Sequence, residues 1–280
     1  MKILLAESAG FCFGVKRATN MAFEAAEEHQ NICSLGPIIH SPQLVEKLEE
    51  QGVEVVKDVE EVPPGAAVIV RSHGITYTEL QELTGNELEL VDATCPFVKN
   101  AQNYAAQLSD EGYVVIIVGE EEHPEVQGIV SFARNGEVHV VGNEHEAEQL
   151  PRRRRMGIVA QTTQSLSNLQ QIVDICLQRC YELRVFNTIC DATTVRQEEA
   201  RKVAQQAEVV LVLGGFNSAN TTRLAQICRE IQPRTYHIET ADEIDASWFD
   251  GVDSVGVTAG ASTPQWIIDD TVAKIEEITT

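Results

Sequence analysis

The chain has 280 residues, of which 43% are hydrophobic and 23% charged, and its formal net charge is −22. This composition is typical of a globular protein and excludes a disordered one, while the length allows one large domain or several small ones. The excess of acidic residues argues against non-specific binding to nucleic acids or anionic membranes.

The amino-terminal segment does not resemble a signal peptide, because its apolar run is only about four residues long and Glu7 follows it. The sequence also lacks a stretch of about 18 apolar residues that could cross a bilayer. Seven cysteines, an odd count, favour reduced thiols or metal ligands over a disulfide framework. We therefore expect a cytoplasmic protein that binds neither membranes nor nucleic acids.

A repeat emerges when the predicted elements are taken in chain order. Each repeat begins with a strand, a short loop, a cysteine and a helix, and the three cysteines are Cys12, Cys95 and Cys190. The next strand of each repeat ends in a glycine, at Gly36, Gly119 and Gly214. Both sets are separated by 83 and then 95 residues, a coincidence that indicates a threefold repeat.

Each glycine opens a polar loop and a helix, followed by a third strand (VEVV, EVHVV, TYHIE) and a fourth (AAVIVRSHG, GIVAQTTQ, SVGVTAGAS). Val- and Ile-rich strands that alternate with helices indicate parallel sheets covered on both faces. We predict an α/β fold of three pseudo-symmetric lobes, each a small, mainly parallel sheet of about four strands flanked by helices. A single doubly wound domain is the alternative.

The three repeated cysteines are candidate metal ligands, because each lies in a loop just before a predicted helix, where the helix dipole favours a thiolate. Three thiolates suit either zinc with a fourth protein ligand or an iron–sulfur cubane that keeps one iron open for substrate. The residues alone leave both possibilities open. The remaining cysteines fall within predicted strands or helices and are expected in the core: Cys33, Cys176, Cys180 and Cys228.

The polar loops follow the predicted strands, where parallel sheets bind ligands. They contain His40, His73, His123, Glu125, Thr162, Thr163, Ser218, Asn220 and Ser262. Hydroxyls, amides and histidines of this kind can hold a phosphate or diphosphate by hydrogen bonds. Walker A and GxGxxG motifs are both missing, so neither nucleotide hydrolysis nor a bound nicotinamide cofactor is indicated.

Two further features have more than one interpretation. Glu125 in the segment HPEV becomes a proton donor if burial raises its pKa, and is otherwise an exposed carboxylate near a helix N-terminus. The basic run Arg152–Arg155 is predicted as a solvated loop, with a docking patch for an acidic protein as the alternative.

The motifs, in order, resemble the LytB family of 4-hydroxy-3-methylbut-2-enyl diphosphate reductases over essentially the whole chain. They are GFCFGVKRA, GPIIH, RSHG, DATCP, HPEV, QTT, CDATTVRQ, NSAN and TAGAS. The resemblance implies the last step of the non-mevalonate, or methylerythritol phosphate, isoprenoid pathway. In that step the hydroxyl of the substrate is removed reductively to give isopentenyl and dimethylallyl diphosphate.

The resemblance also implies a cofactor and site residues. The cofactor is one 4Fe-4S cluster per chain, with one open iron and three ligands: Cys12, Cys95 and Cys190. The proton donor is Glu125, with His123 and Thr162 completing the hydrogen bonds to the hydroxyl end. The diphosphate is held by His40, His73, Ser218, Asn220 and Ser262, and through its backbone N–H by Ala219, where the familiar pattern has a second serine.

The family fold implies three lobes around a central cavity. The predicted boundaries are 13–96, 97–191 and 192–280, with the N-terminal strand 1–12 completing the third lobe. The expected electron donor is a small ferredoxin or flavodoxin, because no flavin or nicotinamide motif is present, and Arg152–Arg155 is the candidate contact for this donor. Two rival hypotheses are a cluster-containing hydro-lyase, which needs no reductant, and a zinc protein that only binds a phosphorylated ligand.

Overall fold

The structure is a computed structural model that describes residues 1–85 and 88–279. The strands are β1 (Lys2–Leu5), β2 (Ile32–Leu35), β3 (Val53–Val56), β4 (Ala67–Val70), β5 (Leu90–Asp92), β6 (Val114–Val118), β7 (Val138–Val141), β8 (Arg153–Ala160), β9 (Cys180–Val185), β10 (Val209–Leu213), β11 (Thr235–Ile238) and β12 (Ser254–Ala259). The helices are α1 (Phe13–Glu28), α2 (Pro42–Glu49), α3 (Tyr77–Gly85), α4 (Pro96–Asp110), α5 (Pro124–Phe132), α6 (Glu144–Ala147), α7 (Leu166–Leu177), α8 (Asp191–Gln206), α9 (Ala219–Ile231) and α10 (Gln265–Thr279). Thr280, which ends the predicted third lobe, lies outside the described residues.

The strands form three sheets of four, with the orders β1-β12-β10-β11, β5-β4-β2-β3 and β9-β8-β6-β7. Every neighbouring pair is parallel. The three orders match when the sheets are aligned on their cysteine-bearing loops, so the repeat in the sequence is a repeat in the topology. The predicted α/β fold of three four-stranded sheets is confirmed. The N-terminal strand β1 pairs with β12.

The repeat extends to individual main-chain hydrogen bonds. The N–H groups of Gly36, Gly119 and Gly214 each donate to the carbonyl of the last residue of the neighbouring strand, at 2.8, 3.0 and 3.0 Å. The acceptors are Val56, Val141 and Ile238. At Gly214 the angle φ is +134°, and a Cβ would lie 2.5 Å from the hydroxyl oxygen of Thr263, so no other residue fits there.

Helices cover both faces of the sheets, as the apolar strands require. On the β9-β8-β6-β7 sheet, Ile172 of α7 packs on one face and Ala105 of α4 on the other. On the β1-β12-β10-β11 sheet, Ile268 of α10 and Leu224 of α9 take the corresponding places. The strand residues between these helices are almost completely buried, which fixes the loops that follow the strands.

The chain divides into two compact units, which are described separately below. Unit 1 comprises Met1–Lys16, Ile39–Glu46 and Asp191–Thr280, and unit 2 comprises Arg17–Ile38 and Lys47–Cys190. The predicted division into three lobes stays a prediction. None of the described helices is long and apolar enough to cross a membrane.

The structure corrects the prediction for the basic run. Arg153, Arg154 and Arg155 are the first residues of β8 and not part of a loop. Arg153 pairs with Glu137 at 2.8 Å, and Arg155 pairs with Glu182 at 3.0 Å on neighbouring β9. These pairs allow charged residues to extend the strand, which the charge pattern alone did not indicate.

Candidate functional site

The three repeated cysteines occupy equivalent positions, each directly before the first residue of α1, α4 or α8. The N–H groups of Cys12, Cys95 and Cys190 donate to the carbonyls of Ala261, Ser72 and Thr162, at 3.2, 2.9 and 3.0 Å. Each acceptor lies two residues after the last residue of a strand, and the three strands are β12, β4 and β8, respectively. Main-chain bonds therefore seat all three cysteines beside the carboxyl end of a strand.

The exposure of the cysteines separates candidate ligands from core residues. Cys12, Cys95 and Cys190 are partly exposed, whereas Cys33, Cys176 and Cys228 are buried. Burial raises the pKa of the Cys33 and Cys176 thiols to about 11 and that of Cys228 to about 12, which disfavours a metal-binding thiolate. Cys180, predicted in the core, is instead partly exposed at the start of β9, and burial still raises its pKa.

This donor set fits an iron–sulfur cluster. Within residues 1–85 and 88–279, no three His, Cys, Asp or Glu side chains are arranged to hold a single metal ion. In a cluster each thiolate binds a different iron, so its ligands do not converge on one point. Iron–sulfur clusters are held by cysteine thiolates, and a helix N-terminus favours the thiolate form.

In unit 2 a buried carboxyl group lies at the end of β8. Glu125 is only 2% exposed, and its two oxygens accept hydrogen bonds from the N–H of Thr162 at 2.6 Å and from its hydroxyl at 2.9 Å. Burial raises the pKa of Glu125 to about 7, and the two bonds from Thr162 oppose that rise. The carboxyl group is therefore poised to hold and release a proton near neutral pH.

His123 is the N-cap residue of the helix that carries Glu125. Its Nδ1 atom accepts a hydrogen bond from the N–H of Glu125 at 3.1 Å, so the neutral ring carries its proton on Nε2. The rings of His73 and His123 meet edge to face, with centroids 5.7 Å apart. Unit 2 thus brings together four residues that the sequence singled out: His73, His123, Glu125 and Thr162.

Unit 1 contains the other predicted polar residues. Ser218 caps α9 by accepting a hydrogen bond from the N–H of Thr221 at 3.3 Å, and Ala219 is the first residue of that helix. Ser262 donates through its hydroxyl to the carbonyl of His40 at 3.2 Å. Asn220 is 6% exposed, yet both polar atoms of its amide are buried without a hydrogen-bond partner.

An unsatisfied buried amide costs free energy, so Asn220 indicates a place where a polar ligand completes the hydrogen bonding. The 13-residue helix α9 begins beside it, and the first N–H groups of a helix have no acceptor within the helix. Helix N-termini of this kind bind anions, because their N–H groups and the helix dipole both favour negative charge. The combination suits a phosphate or diphosphate group.

The sequence did not single out two buried polar residues at these positions. The hydroxyl oxygen of Thr221 is buried without a partner, and a Cβ at Gly260 would lie only 1.9 Å from it. Gln161 accepts from the N–H of Glu120 at 3.1 Å, while its Nε2 atom has no partner. Thr221 follows the predicted site residue Asn220, and Gln161 precedes the predicted site residue Thr162. This proximity in the chain is the only feature of the sequence that points to them.

Comparison with known proteins gives one consistent answer. The LytB protein family matches residues 3–276. A protein of Syntrophotalea carbinolica named 4-hydroxy-3-methylbut-2-enyl diphosphate reductase is 65% identical over 278 residues, which cover 99% of both chains. A protein of Geobacter sulfurreducens with the same name is 60% identical over 277 residues, covering 99% of this chain and 98% of its own.

Solved structures agree. A structure described as the terminal enzyme of the non-mevalonate pathway, (E)-4-hydroxy-3-methyl-but-2-enyl diphosphate reductase, is 44% identical, covers 99% of this chain and 100% of its own, and has a TM-score of 0.71. The E-1-hydroxy-2-methyl-but-2-enyl-4-diphosphate reductase of Plasmodium falciparum is 27% identical, with a TM-score of 0.90 over 100% of this chain and 88% of its own. The sequence motifs, the repeated topology and these matches together show that the chain belongs to the LytB protein family.

Proposed function

We propose that the chain is an iron–sulfur reductase that removes the hydroxyl group of 4-hydroxy-3-methylbut-2-enyl diphosphate to give isopentenyl and dimethylallyl diphosphate. Curated relatives at 60–65% identity over nearly the whole chain carry that name. The structural observation that carries the proposal is the buried Glu125 carboxyl, whose pKa of about 7 suits a group that delivers a proton.

Cys12, Cys95 and Cys190 would hold one 4Fe-4S cluster with one iron open to substrate. When bound, such a cluster supplies electrons and a Lewis-acid iron. The proposal draws on the equivalent placement of the three cysteines and on their partial exposure. Of the four other cysteines, three are buried and only Cys180 is partly exposed. All seven cysteines are free thiols, which supports a reducing compartment, and we propose the cytoplasm.

The residues of unit 2 serve the hydroxyl end of the substrate. Removal of the hydroxyl as water takes two electrons and two protons, one at the leaving oxygen and one at carbon, and Glu125 holds the proton that leaves with the oxygen. Thr162 orients that carboxyl through its two hydrogen bonds, and the bond from the Glu125 N–H to Nδ1 fixes the ring of His123 as a donor from Nε2. This buried setting limits access of bulk water to the acid, so the proton is kept for the substrate.

The diphosphate is assigned to His40, His73, Ser218, Ala219, Asn220 and Ser262. Asn220 supplies the clearest support, because its buried amide lacks a partner of its own. The N–H groups of the first turn of α9, including that of Ala219, add further donors. Side chains that bind without positive charge leave the product free to dissociate more readily than a set of salt bridges would.

A small ferredoxin or flavodoxin is the proposed electron donor. The basic run is a poor place for electron entry, because Arg153 and Ala160 lie at opposite ends of β8, about 23 Å apart at the usual rise per strand residue. Thr162 and Glu125 lie beyond the Ala160 end. We expect charge reversal at Arg152 and Arg154 to leave donor-dependent turnover unchanged at low salt.

The decisive experiment is turnover of the anaerobically purified protein with dithionite and a viologen dye. Formation of isopentenyl and dimethylallyl diphosphate that depends on the reductant supports the proposal. Conversion that proceeds equally well without a reductant would indicate a hydro-lyase. A colourless preparation that binds the substrate without converting it, and that contains zinc, would indicate a binding protein and overturn the assignment.

A further inference from the structure

Two arginines lie shortly after the proposed cluster ligands, on the helices that these ligands precede. Arg17 follows Cys12 on α1, and Arg196 follows Cys190 on α8. Neither side chain belongs to the acid site or to the diphosphate site described above. Both donate to main-chain carbonyls in loops that carry cysteines.

Arg196 is 4% exposed, which is unusual for a guanidinium group. It donates to the carbonyl of Gly10 at 2.7 Å and to that of Ala192 at 3.1 Å. Gly10 is two residues before Cys12, and Ala192 is two residues after Cys190. One rigid, planar donor group therefore joins the first turn of its own helix to the main chain two residues before Cys12.

A second side chain of α8 holds the same loop. The Glu199 carboxylate accepts hydrogen bonds from the N–H of Ser8 at 2.8 Å and from its hydroxyl at 2.5 Å. Together with the bond from Arg196 to Gly10, these bonds attach α8 to the loop before Cys12 at Ser8 and at Gly10. The conformation is specific, because Gly10 has φ of +96° and a Cβ there would crowd Ile268 at 3.1 Å.

Arg17 repeats this arrangement at another cysteine. It donates to the carbonyl of Thr94 at 3.2 Å, in the loop that leads into Cys95, and to that of Asp92, the last residue of β5, at 3.4 Å. In both cases the helix after one cysteine holds the loop before a different cysteine. On α4, Lys99 instead bonds the Asp92 side chain at 2.5 Å, next to the cysteine of its own repeat.

We propose that Arg196 and Arg17 are positioning residues for the cluster, a proposal that rests on the proposed function. They hold the loops that present Cys12 and Cys95, and their positive charge favours the reduced cluster, which carries one more negative charge than the oxidised one. A fixed cation in a partly buried position is weakly screened, so its effect on a nearby redox group is substantial. Hydrogen bonding and net charge are known determinants of cluster potentials.

The test compares Arg196→Gln, Arg196→Lys and Arg17→Gln with Lys202→Gln, an exposed position on the same helix α8. Each protein is reconstituted anaerobically and assayed for iron and sulfide per chain. The midpoint potential is then measured by reductive titration monitored by electron paramagnetic resonance, and thermal unfolding is recorded to verify the fold.

We expect Arg196→Gln to lower iron content and to shift the midpoint to a more negative potential, with a smaller shift in Arg17→Gln. Arg196→Lys keeps the charge but not the planar fork, so it retains a potential near that of the unaltered protein while losing part of its iron. Lys202→Gln should match the unaltered protein in both measurements. If Arg196→Gln does not fold, Arg196→Lys and Arg17→Gln decide the outcome.

Folded Arg196→Gln and Arg17→Gln proteins with full iron content and an unshifted midpoint would overturn the proposal. A lower melting temperature without either change would assign the arginines to fold stability alone. Absence of a cluster from the unaltered protein would instead overturn the proposed function, so the two failures are distinguishable.

Discussion

Thr162 donates two hydrogen bonds to Glu125, one from its N–H and one from its hydroxyl, although 37 residues separate the two in the chain. Both bonds stabilise the charged carboxylate and so lower its pKa, while burial raises it. Burial is the larger effect. The balance leaves an acid whose protonation changes near neutral pH.

Replacing Glu125 with Gln should leave substrate binding intact and abolish most turnover. The amide keeps the size of the side chain but cannot deliver a proton, and loss of a general acid usually costs about 10²- to 10⁴-fold in rate. Single-turnover assays with dithionite-reduced enzyme measure this. Glu121→Gln, which alters an exposed carboxylate in the loop before α5, is the matched control. Near-normal turnover in Glu125→Gln would remove Glu125 from the mechanism.

The rate of the chemical step should fall as pH rises through about 7, because Glu125 loses its proton there. The same shift has a consequence for stability. The pKa is raised in the folded protein, so the stabilising contribution is complete below the unfolded pKa of about 4.5 and is lost as pH approaches 7. Relative to Glu125→Gln, the free energy of unfolding of the unaltered protein should therefore decrease across this interval. Parallel pH curves for the two proteins would contradict the assigned pKa.

Replacing Cys12, Cys95 or Cys190 singly with serine should prevent stable cluster assembly, because a hydroxyl takes the place of a thiolate ligand. We expect pale proteins with strongly reduced iron per chain after reconstitution. Cys228→Ser is the control for a cysteine buried in the core, and it should lose stability but keep its iron. Equal iron loss in all four variants would assign the effect to folding.

Replacing Asn220 with Leu should raise the melting temperature of the ligand-free protein and raise KM. The amide is buried without partners, so an apolar side chain of similar volume relieves an unpaired polar group. The substrate then loses the amide that would pair with its diphosphate. Thermal unfolding with and without substrate separates the two effects. A fall in the ligand-free melting temperature together with an unchanged KM would show that Asn220 serves the fold.

Replacing Ala219 with Ser should lower KM several-fold without a change in kcat. A second hydroxyl next to Ser218 adds one neutral hydrogen bond to the diphosphate, worth about 0.5 to 1.5 kcal/mol. Ala219 is the first residue of α9, where serine is well tolerated. Steady-state kinetics measure the change, and an unchanged KM would show that the N–H groups of this turn suffice.

Much of the fold follows from local signals in the sequence. The spacing of Cys12, Cys95 and Cys190 and the Val-rich strands predict the three matching sheets, because alternation and repetition are properties of the chain itself. The start of β8 could not be predicted, since Arg153 is accommodated there by an ion pair with Glu137, the residue before β7.

The chemistry was less accessible to sequence patterns than the fold. Glu125 had two interpretations, and only its burial and its contact with Thr162 in three dimensions distinguish them. The bond from Arg196 to Gly10 joins residues 186 positions apart, so no local pattern indicates it. Resemblance to a family predicts the positions, but the energetics of each position depend on contacts between residues that are far apart in the chain.

The bonds that seat the three cysteines run from amide to carbonyl and are therefore indifferent to which side chains flank them. Their acceptors are as different as Ala261, Ser72 and Thr162. A scaffold anchored in this way allows the side chains of the three repeats to differ. The loop of one repeat can carry an acid and that of another can bind an anion, while the main chain at each cysteine stays in place. The three repeats can therefore take different roles without a change in the main-chain hydrogen bonds that hold their cysteines.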